Sequence, residues 1–383
     1  ILDNRKKVFM SDIKSLKEIA KLFLKLGIIG FGGPAAHIAM MRQEVVIKKK
    51  WLTEQHFLDL IGATSLIPGP NSTEMAIHIG RERGGTKGLL VAGICFIIPA
   101  VLITGVFAYF YKIYGQQPEA QAFLYGIKPA IIAIILAAIY PLAKKSVKTK
   151  ELALIGILTL VLSLLKCNEI YILFGAGLLA LLYSKIKRQQ TFNIIPLTLF
   201  QVIKTTIVTA TNWNLFLLFL KIGAVLYGSG YVLFAFLDTE LVSTGIISRA
   251  TLVDAIAIGQ FTPGPVFSSV TFIGYQINGL VGAAIATIAI FIPSFLFVAL
   301  LNPLVKKLRA SSSISIFLDA VNVASVAIIV AICWQMGQDS ILDWRTLLIA
   351  ITSVVVTFGY PKVNSAFIVI YGAVAGYLLL FLG

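Results

Sequence analysis

Apolar residues fill long stretches of this chain, and their interruptions fall in a repeating order. Residues 88–111, 121–143, 151–166 and 169–184 are apolar runs with few charges. A membrane helix needs about 20 such residues, so each run predicts a span, the last two being short enough to tilt little or to thin the bilayer. A similar run covers 279–303. Ahead of these runs the pattern changes: FLDLIGATSLIPGPNSTEMAIHIGRERGG (57–85) sets Pro-Gly-Pro inside apolar sequence and follows it with Asn, Ser, Thr, Glu and His. Proline in a helix removes a hydrogen bond and clashes with the preceding turn, at about 3 kcal/mol or more. One half-helix is therefore predicted to stop near Ile67 and a second to begin at Asn71, a residue type suited to the N-cap. Phe31-Gly32-Gly33-Pro34 predicts another break, with Pro34 suited to the first helical position.

Both breaks recur. FLKLGIIGFGG (23–33) returns as FLKIGAVLYGS (219–229), and DLIGATSLIPGP (59–70) as DAIAIGQFTPGP (254–265). Gly85, Gly88 and Pro99 match Gly279, Gly282 and Pro293, and Lys166-Cys167-Asn168 matches Lys362-Val363-Asn364. The expected organisation is a first domain at 1–184, a polar linker at 185–204 and a second domain at 205–383. Two related halves are a common transporter plan.

Loop charge orients them. Arg42, Lys48, Lys49 and Lys50, then Arg81, Arg83 and Lys87, follow the first segments of half one; the matching loops of half two hold Asp238, Glu240 and Arg249, then no charge in 275–282. Further on the bias reverses: residues 111–120 hold only Lys112 and Glu119, their counterparts Lys306, Lys307 and Arg309. Basic loops face the cytoplasm, so the halves are expected to be inverted, with the N-terminus inside and the loop at 238–249 outside. Inversion needs an odd number of crossings per half, so one of the segments 23–41 and 57–80 is expected to cross and the other to re-enter. The expected fold is an all-α polytopic membrane protein, two homologous halves forming an inverted repeat with broken or re-entrant helices.

Composition agrees. Hydrophobic residues make up 58% and charged residues 13% of 383, against about 25% charged in soluble domains. The net charge of +15 sits in connecting segments and has no interleaved aromatic face for nucleic acid. Cys95, Cys167 and Cys333 are scattered singly and show no metal-ligand spacing. Residues 1–21 read as polar and basic rather than as a cleavable signal peptide.

The breaks suggest chemistry. The first amides of a helix lack intrahelical acceptors, and with the helix dipole they favour an anion. Irregular backbone at membrane depth needs a protein or water cover. The predicted binding set is Gly32, Gly33, Asn71, Ser72 and Thr73 in half one, and Gly228, Ser229, Ser268 and Ser269 in half two. Lys25 and Lys221 are repeat-equivalent intramembrane lysines, expected to supply balancing charge; snorkelling to the interface is the plainer reading. Glu74 and His78, four apart on one helix face, are candidates for proton coupling, with His37 beside them; a local ion pair or cap is the plainer reading there. Asp59 and Asp254 read as structural helix-start acids, and Arg42 and Glu44 as surface residues.

Several strings carry a family resemblance. FGGPAAHIAMMRQEVV, WLTEQHFLDL, IPGPNSTEMAIHIG, AGICFIIPA and YGIKPAIIAII, with FLKIGAVLYGSGYVL and the second TPGP, resemble the chromate transporter family in its two-domain form, over nearly the whole chain. The resemblance implies an inner-membrane carrier that expels chromate, a sulfate-shaped dianion, with proton coupling and no cofactor; sulfate or another oxyanion is the alternative cargo. An intramembrane enzyme is the competing class, but Glu74, His78 and His37 come with no metal set or nucleophile elbow. A passive anion channel is the other. A monomer and a homodimer are equally compatible with the sequence.

Overall fold

The structure, a computed structural model, describes residues 2–187, 211–227, 230–360 and 363–381. These are helical, without a strand among the described residues. Half one contains α1 (Leu2–Ile29), α2 (Gly33–Arg42), α3 (Glu54–Thr64), α4 (Asn71–Tyr114), α5 (Pro118–Ser146), α6 (Lys150–Leu164) and α7 (Glu169–Lys187). Half two contains α8 (Asn212–Val225), α9 (Val232–Leu237), α10 (Arg249–Phe261), α11 (Ser269–Ala310), α12 (Ser312–Ser340), α13 (Trp344–Gly359) and α14 (Ser365–Phe381). Five stretches are long and apolar enough to cross a membrane: Asn71–Tyr114, Pro118–Ser146, Glu169–Ile186, Val266–Leu300 and Ser312–Ser340. The chain is a multi-pass membrane protein. Most of the expected linker, 188–204, lies outside the described residues.

The repeat is visible in local geometry. α4 bends at Gly84 (φ −140°, ψ 21°) and Gly85 (60°, −148°), and α11 bends at Asn278 (−142°, 40°) and Gly279 (56°, −149°). Helix starts recur: Thr53 accepts a hydrogen bond from the His56 amide to cap α3, and Ser248 accepts one from the Thr251 amide to cap α10, each meeting a donor the helix cannot satisfy. Ion pairs recur too. Lys25 meets Glu44 at 2.9 Å and Lys221 meets Glu240 at 2.6 Å. Arg42–Glu54 (2.7 Å) has its counterpart in Asp238–Arg249 (2.8 Å), the same link with its charges exchanged.

Contacts around the α4 bend fix the topology of half one. The Ser15 hydroxyl donates to the Arg83 carbonyl, Glu18 pairs with Arg83 at 3.2 Å, and the Arg83 guanidinium lies 5.2 Å from the Trp51 ring. His56 meets Glu82 at 3.1 Å. Residues 15–18, 51, 56 and 82–83 therefore share one face. α1 and α2 leave that face and return to it, and so do α3 and residues 71–83 of α4. At 1.5 Å per residue, α1 rises about 18 Å from Glu18 to Gly30, roughly half the hydrocarbon thickness. Both segments are re-entrant hairpins. The expectation that one of 23–41 and 57–80 crosses is thus corrected: apolar length is the same whether a chain turns back at a break or continues.

Residues 86–114 of α4 then cross, and α5, α6 and α7 follow. At the far end of α4, Tyr111 donates to Asp254 at 2.7 Å. Asp254 lies five residues into α10, so α10 starts on the face opposite to α3, its repeat partner. That relation makes the repeat inverted. Residues 187 and 211 accordingly lie on opposite faces. α4 and α11 pack against each other at the centre, α5 against α13 and α14, and α12 against α6 and α7.

In a chain freed of its three cysteines, Lys49→Cys and Thr244→Cys should each react with an impermeant thiol reagent from one face only, and from opposite faces. Labelling of both from the same face would contradict the inversion.

Candidate functional site

The tips of the four hairpin arms meet at mid-membrane, where the halves exchange hydrogen bonds. The Gly69 N–H donates to the Leu226 carbonyl at 2.8 Å, and the Gly264 N–H donates to the Gly30 carbonyl at 2.7 Å. Gly69 and Gly264 are repeat-equivalent, as are Gly30 and Leu226, so this is one contact made twice across a pseudo-two-fold axis. The Gly30 carbonyl also accepts from His37 Nε2 at 2.8 Å, and the His37 ring stands edge-on to Phe96, 5.4 Å between centroids. His37, expected in proton coupling, instead fastens the first break; its bonded ring nitrogen points at the main chain.

Backbone chemistry explains the second break. Gly69 has φ +133°, a region open to glycine and strained for other residues. A Cβ there would also strike the Glu74 carboxylate and approach the Ser294 hydroxyl. Pro70 takes the N-cap position and Asn71 is the first helical residue, one position later than expected for Asn71. The Thr73 and Glu74 amides donate to the Pro70 carbonyl at 2.8 and 3.1 Å, closing the first turn of α4, whose N-terminal end lies at the break. Gly33 adopts φ +76° and has open space where a Cβ would stand, so its constraint is the backbone rather than close approach.

A cavity of about 390 Å³ reaches this start. Its walls are α3 (Leu58, Ile61), the break (Ser65, Asn71), the end of α5 (Lys145, Lys148) and α12 (Asp319, Asn322, Ser325). Lys145 and Lys148 are exposed at its mouth, and Lys148 meets Asp319 at 2.7 Å. Deeper in, Ser325 donates to the Tyr227 carbonyl at 3.0 Å, inside the first break of half two. The cavity thus joins the face that carries the α5–α6 loop to a helix N-terminus, and its polar lining is rich in donors.

The expected residues divide around it. Asn71 lines the cavity. Ser72 and Thr73 are buried beside it, and Ser268 and Ser269 are buried in half two, with the Ser268 and Thr262 hydroxyls each 3.4 Å from that of Thr104. Gly32 and Gly33 open α2 away from the cavity lining. Gly228 and Ser229 lie outside the described residues. Lys25 and Lys221 are corrected: each ammonium is held by a glutamate rather than standing at a break. The Lys25 hydrogen bond holds the Glu44 carboxyl below its ordinary value, against burial that pushes it up. Glu74 and His78 are both buried; the Ser294 hydroxyl is the polar group beside the Glu74 carboxylate. The local ion pair that their spacing allows is not formed. Asp254, expected to be a helix-start acid, is instead buried within α10, 3.1 Å from Lys128 of α5.

The sequence reading missed Lys128, Lys145, Asn322 and Ser325. Asp319, Asn322, Ser325 and Ile329 follow each other at spacings of three and four, one stripe of an otherwise apolar helix, and that stripe was the available signal.

Gly69→Ala should cost about 1–3 kcal/mol in backbone strain and lower the thermal midpoint, whereas Gly105→Ala, with open space at its Cβ, should leave it unchanged. The double variant Lys25→Gln/Glu44→Gln should retain substrate flux within about threefold, because it removes both partners and leaves only the solvent-exposed Lys48 without its pair; a complete loss of flux with normal expression would return Lys25 to the site.

Comparison with known proteins agrees with this architecture. The family profile described as chromate transporter matches residues 17–181 and again 213–377. A probable chromate transport protein of Synechococcus elongatus is 30% identical over 375 residues, covering 94% of this chain and 95% of that protein. A chromate transport protein of Cupriavidus metallidurans is 31% identical over 372 residues, covering 94% and 92%. An uncharacterized transporter of Methanocaldococcus jannaschii is 27% identical, covering 99% and 98%. No solved structure matches significantly. With two profile matches that fall on the two inverted halves, the chain belongs to the chromate transporter family.

Proposed function

We propose that the protein is a secondary active transporter that exports chromate, or a sulfate-like oxyanion, across the inner membrane in exchange for protons, with its N-terminus in the cytoplasm. The observation that carries this reading is the cavity that runs from two lysines at one face to the N-terminal end of α4, with Asn71 in its lining. A tetrahedral dianion offers four acceptor oxygens and no donor. The Ser72 amide at the positive end of α4, the Asn322 side-chain amide and the Lys145 ammonium are donors of matching kind. A helix end contributes about 0.3–2 kcal/mol towards a nearby negative charge, so the lysines are needed to offset dehydration of a dianion. Basic loops at Arg42–Lys50 and Lys144–Lys150 support a cytoplasmic opening.

Glu74 is the proposed proton carrier, with His78 one turn further along α4. A carboxylate here would stand close to the anion route and repel a dianion, so loading of the anion and of the proton are linked by charge. A buried carboxyl beside a neutral hydroxyl, Ser294, rather than a cation can take and release a proton as the site rehydrates.

Proteoliposomes loaded with labelled chromate or sulfate test the reading. Efflux should saturate, should accelerate with an inward proton gradient, and should lose most of that acceleration in Glu74→Gln. Flux that neither saturates nor responds to the gradient would indicate a passive channel. Lys145→Gln should raise the half-saturating anion concentration severalfold, as expected for a charge at an entrance.

A further inference from the structure

Inverted halves allow a residue-by-residue comparison of the two faces. α5 and α12 each contain 29 residues and align without a gap: KPAIIAII (128–135) lies over NVASVAII (322–329). Every wall of the Asn71 cavity therefore has a counterpart on the other face. Leu58 corresponds to Val253, Ile61 to Ile256, Ser65 to Gln260 and Asn71 to Val266. The counterparts are closed in. Leu58 is 49% exposed and Val253 4%; Ile256, Gln260 and Val266 are buried. Around Val253, Ile256, Met336 and Asp339 there remains a void of only about 10 Å³.

Two sets of charges hold this face together. At the surface Arg249 meets Asp238 at 2.8 Å and Asp339 at 3.5 Å, joining α10 to α12. Deeper, Asp254 of α10 is 3.1 Å from Lys128 of α5 and accepts from Tyr111 of α4 at 2.7 Å. The counterparts of Arg249 and Asp339 are Glu54 and Lys145. They also carry opposite charges, but here Glu54 pairs with Arg42 and Lys145 lines the open cavity. The counterpart of Asn322, a wall of the open cavity, is Lys128.

We propose that a second oxyanion site is folded shut on the face opposite to the Asn71 cavity, that Lys128 is its cation, and that it opens when α10 parts from α5 and α12 while a Glu54–Lys145 contact closes the first. The inference rests on the proposed oxyanion cargo but depends on a different face of the molecule. In the present state Asp254 occupies the Lys128 ammonium. As α10 withdraws, the anion takes the place of that carboxylate, so the half-buried lysine is never left without a counter-charge, an arrangement that would be costly in the membrane interior. Asn322 at the corresponding point of the first site offers a donor without a charge, and there the charge comes from Lys145 at the mouth.

Two cysteine pairs in the full-length, otherwise cysteine-free chain test this. Arg249→Cys/Asp339→Cys should cross-link in the resting protein. Glu54→Cys/Lys145→Cys should cross-link during turnover, and either bridge should stop flux until it is reduced. Sulfate and chromate binding is then measured in each trapped form. Lys128→Asn should weaken binding about tenfold or more, the loss of one charged contact of about 1.4 kcal/mol, in the form trapped by the 54–145 bridge, and less than twofold in the form trapped by the 249–339 bridge. Lys128→Asn/Asp254→Asn, which leaves no unpaired charge, should show the same contrast if the single variant does not accumulate. Failure of the 54–145 bridge to form during turnover, or equal effects of the Lys128 variants in both forms, would overturn the proposal. If neither anion binds the form trapped by the 249–339 bridge, the oxyanion cargo fails, whereas the cross-linking pattern still reports whether the second face opens.

Discussion

Backbone that leaves the helix at membrane depth must find its hydrogen-bond partners inside the protein. Here each half supplies what the other lacks. The Gly69 and Gly264 amides would otherwise be buried without acceptors, at roughly 1–3 kcal/mol each, and they are satisfied crosswise by Leu226 and Gly30. The same reciprocity extends outward. Arg81 of half one donates to the Ala299 carbonyl of α11 at 2.7 Å, an acceptor whose usual helical donor is missing because residue 303 is proline. Neither half has a complete centre alone, and the position of the four hairpin tips follows from that dependence. The α4 start stands beside the cavity because the loop before it is pinned at Gly69, and Gly69 is pinned by the other half.

Much of this frame was legible in the sequence, because its causes are local. Pro-Gly-Pro and glycine-rich breaks interrupt a helix wherever they occur, and their recurrence at a nearly constant offset marked the two halves. Loop charge gave the inversion, since Arg42 and Asp238 are counterparts of opposite sign. What could not be read is what depends on distant partners. Lys25 and Glu44 are 19 residues apart on two arms of one hairpin, so only the turn at Gly30–Gly33 brings them together. Lys128 and Asp254 belong to different halves. A hairpin that returns and a helix that continues have the same apolar length, and so the re-entrant nature of 57–80 was hidden until His56 was found against Glu82. Asn322 and Ser325 were missed because α12 is apolar around most of its circumference and the polar stripe is short.

Places where the halves agree and places where they depart carry different information. Breaks, bends, helix caps and the Lys–Glu pairs at 25–44 and 221–240 are shared, and these are the parts that build the frame. Departures gather along the proposed anion route: Glu74 stands where half two has serine, Lys128 answers Asn322, and Lys145 answers Asp339. A perfectly repeated chain would place equal charge at both mouths and give its two open states equal energies. This chain does neither.

The charge difference between the mouths bears on direction. The open cavity is entered past Lys145 and Lys148, in a region of positive potential that concentrates dianions from the adjoining solution. Its counterpart opens past Asp238 and Asp339, with Arg249 between them. Once α10 has parted from α12, those carboxylates face the route a departing anion must take, and Asp254 stands ready to recover Lys128. An anion drawn in by lysines on one side and displaced by carboxylates on the other experiences a field that favours loading at the first face and release at the second. The proposed export therefore needs no difference in the depth of the two sites: the identity of the residues at the mouths, exchanged in sign between otherwise equivalent positions, favours loading at one and release at the other, and the proton proposed to load at Glu74 would supply the driving force.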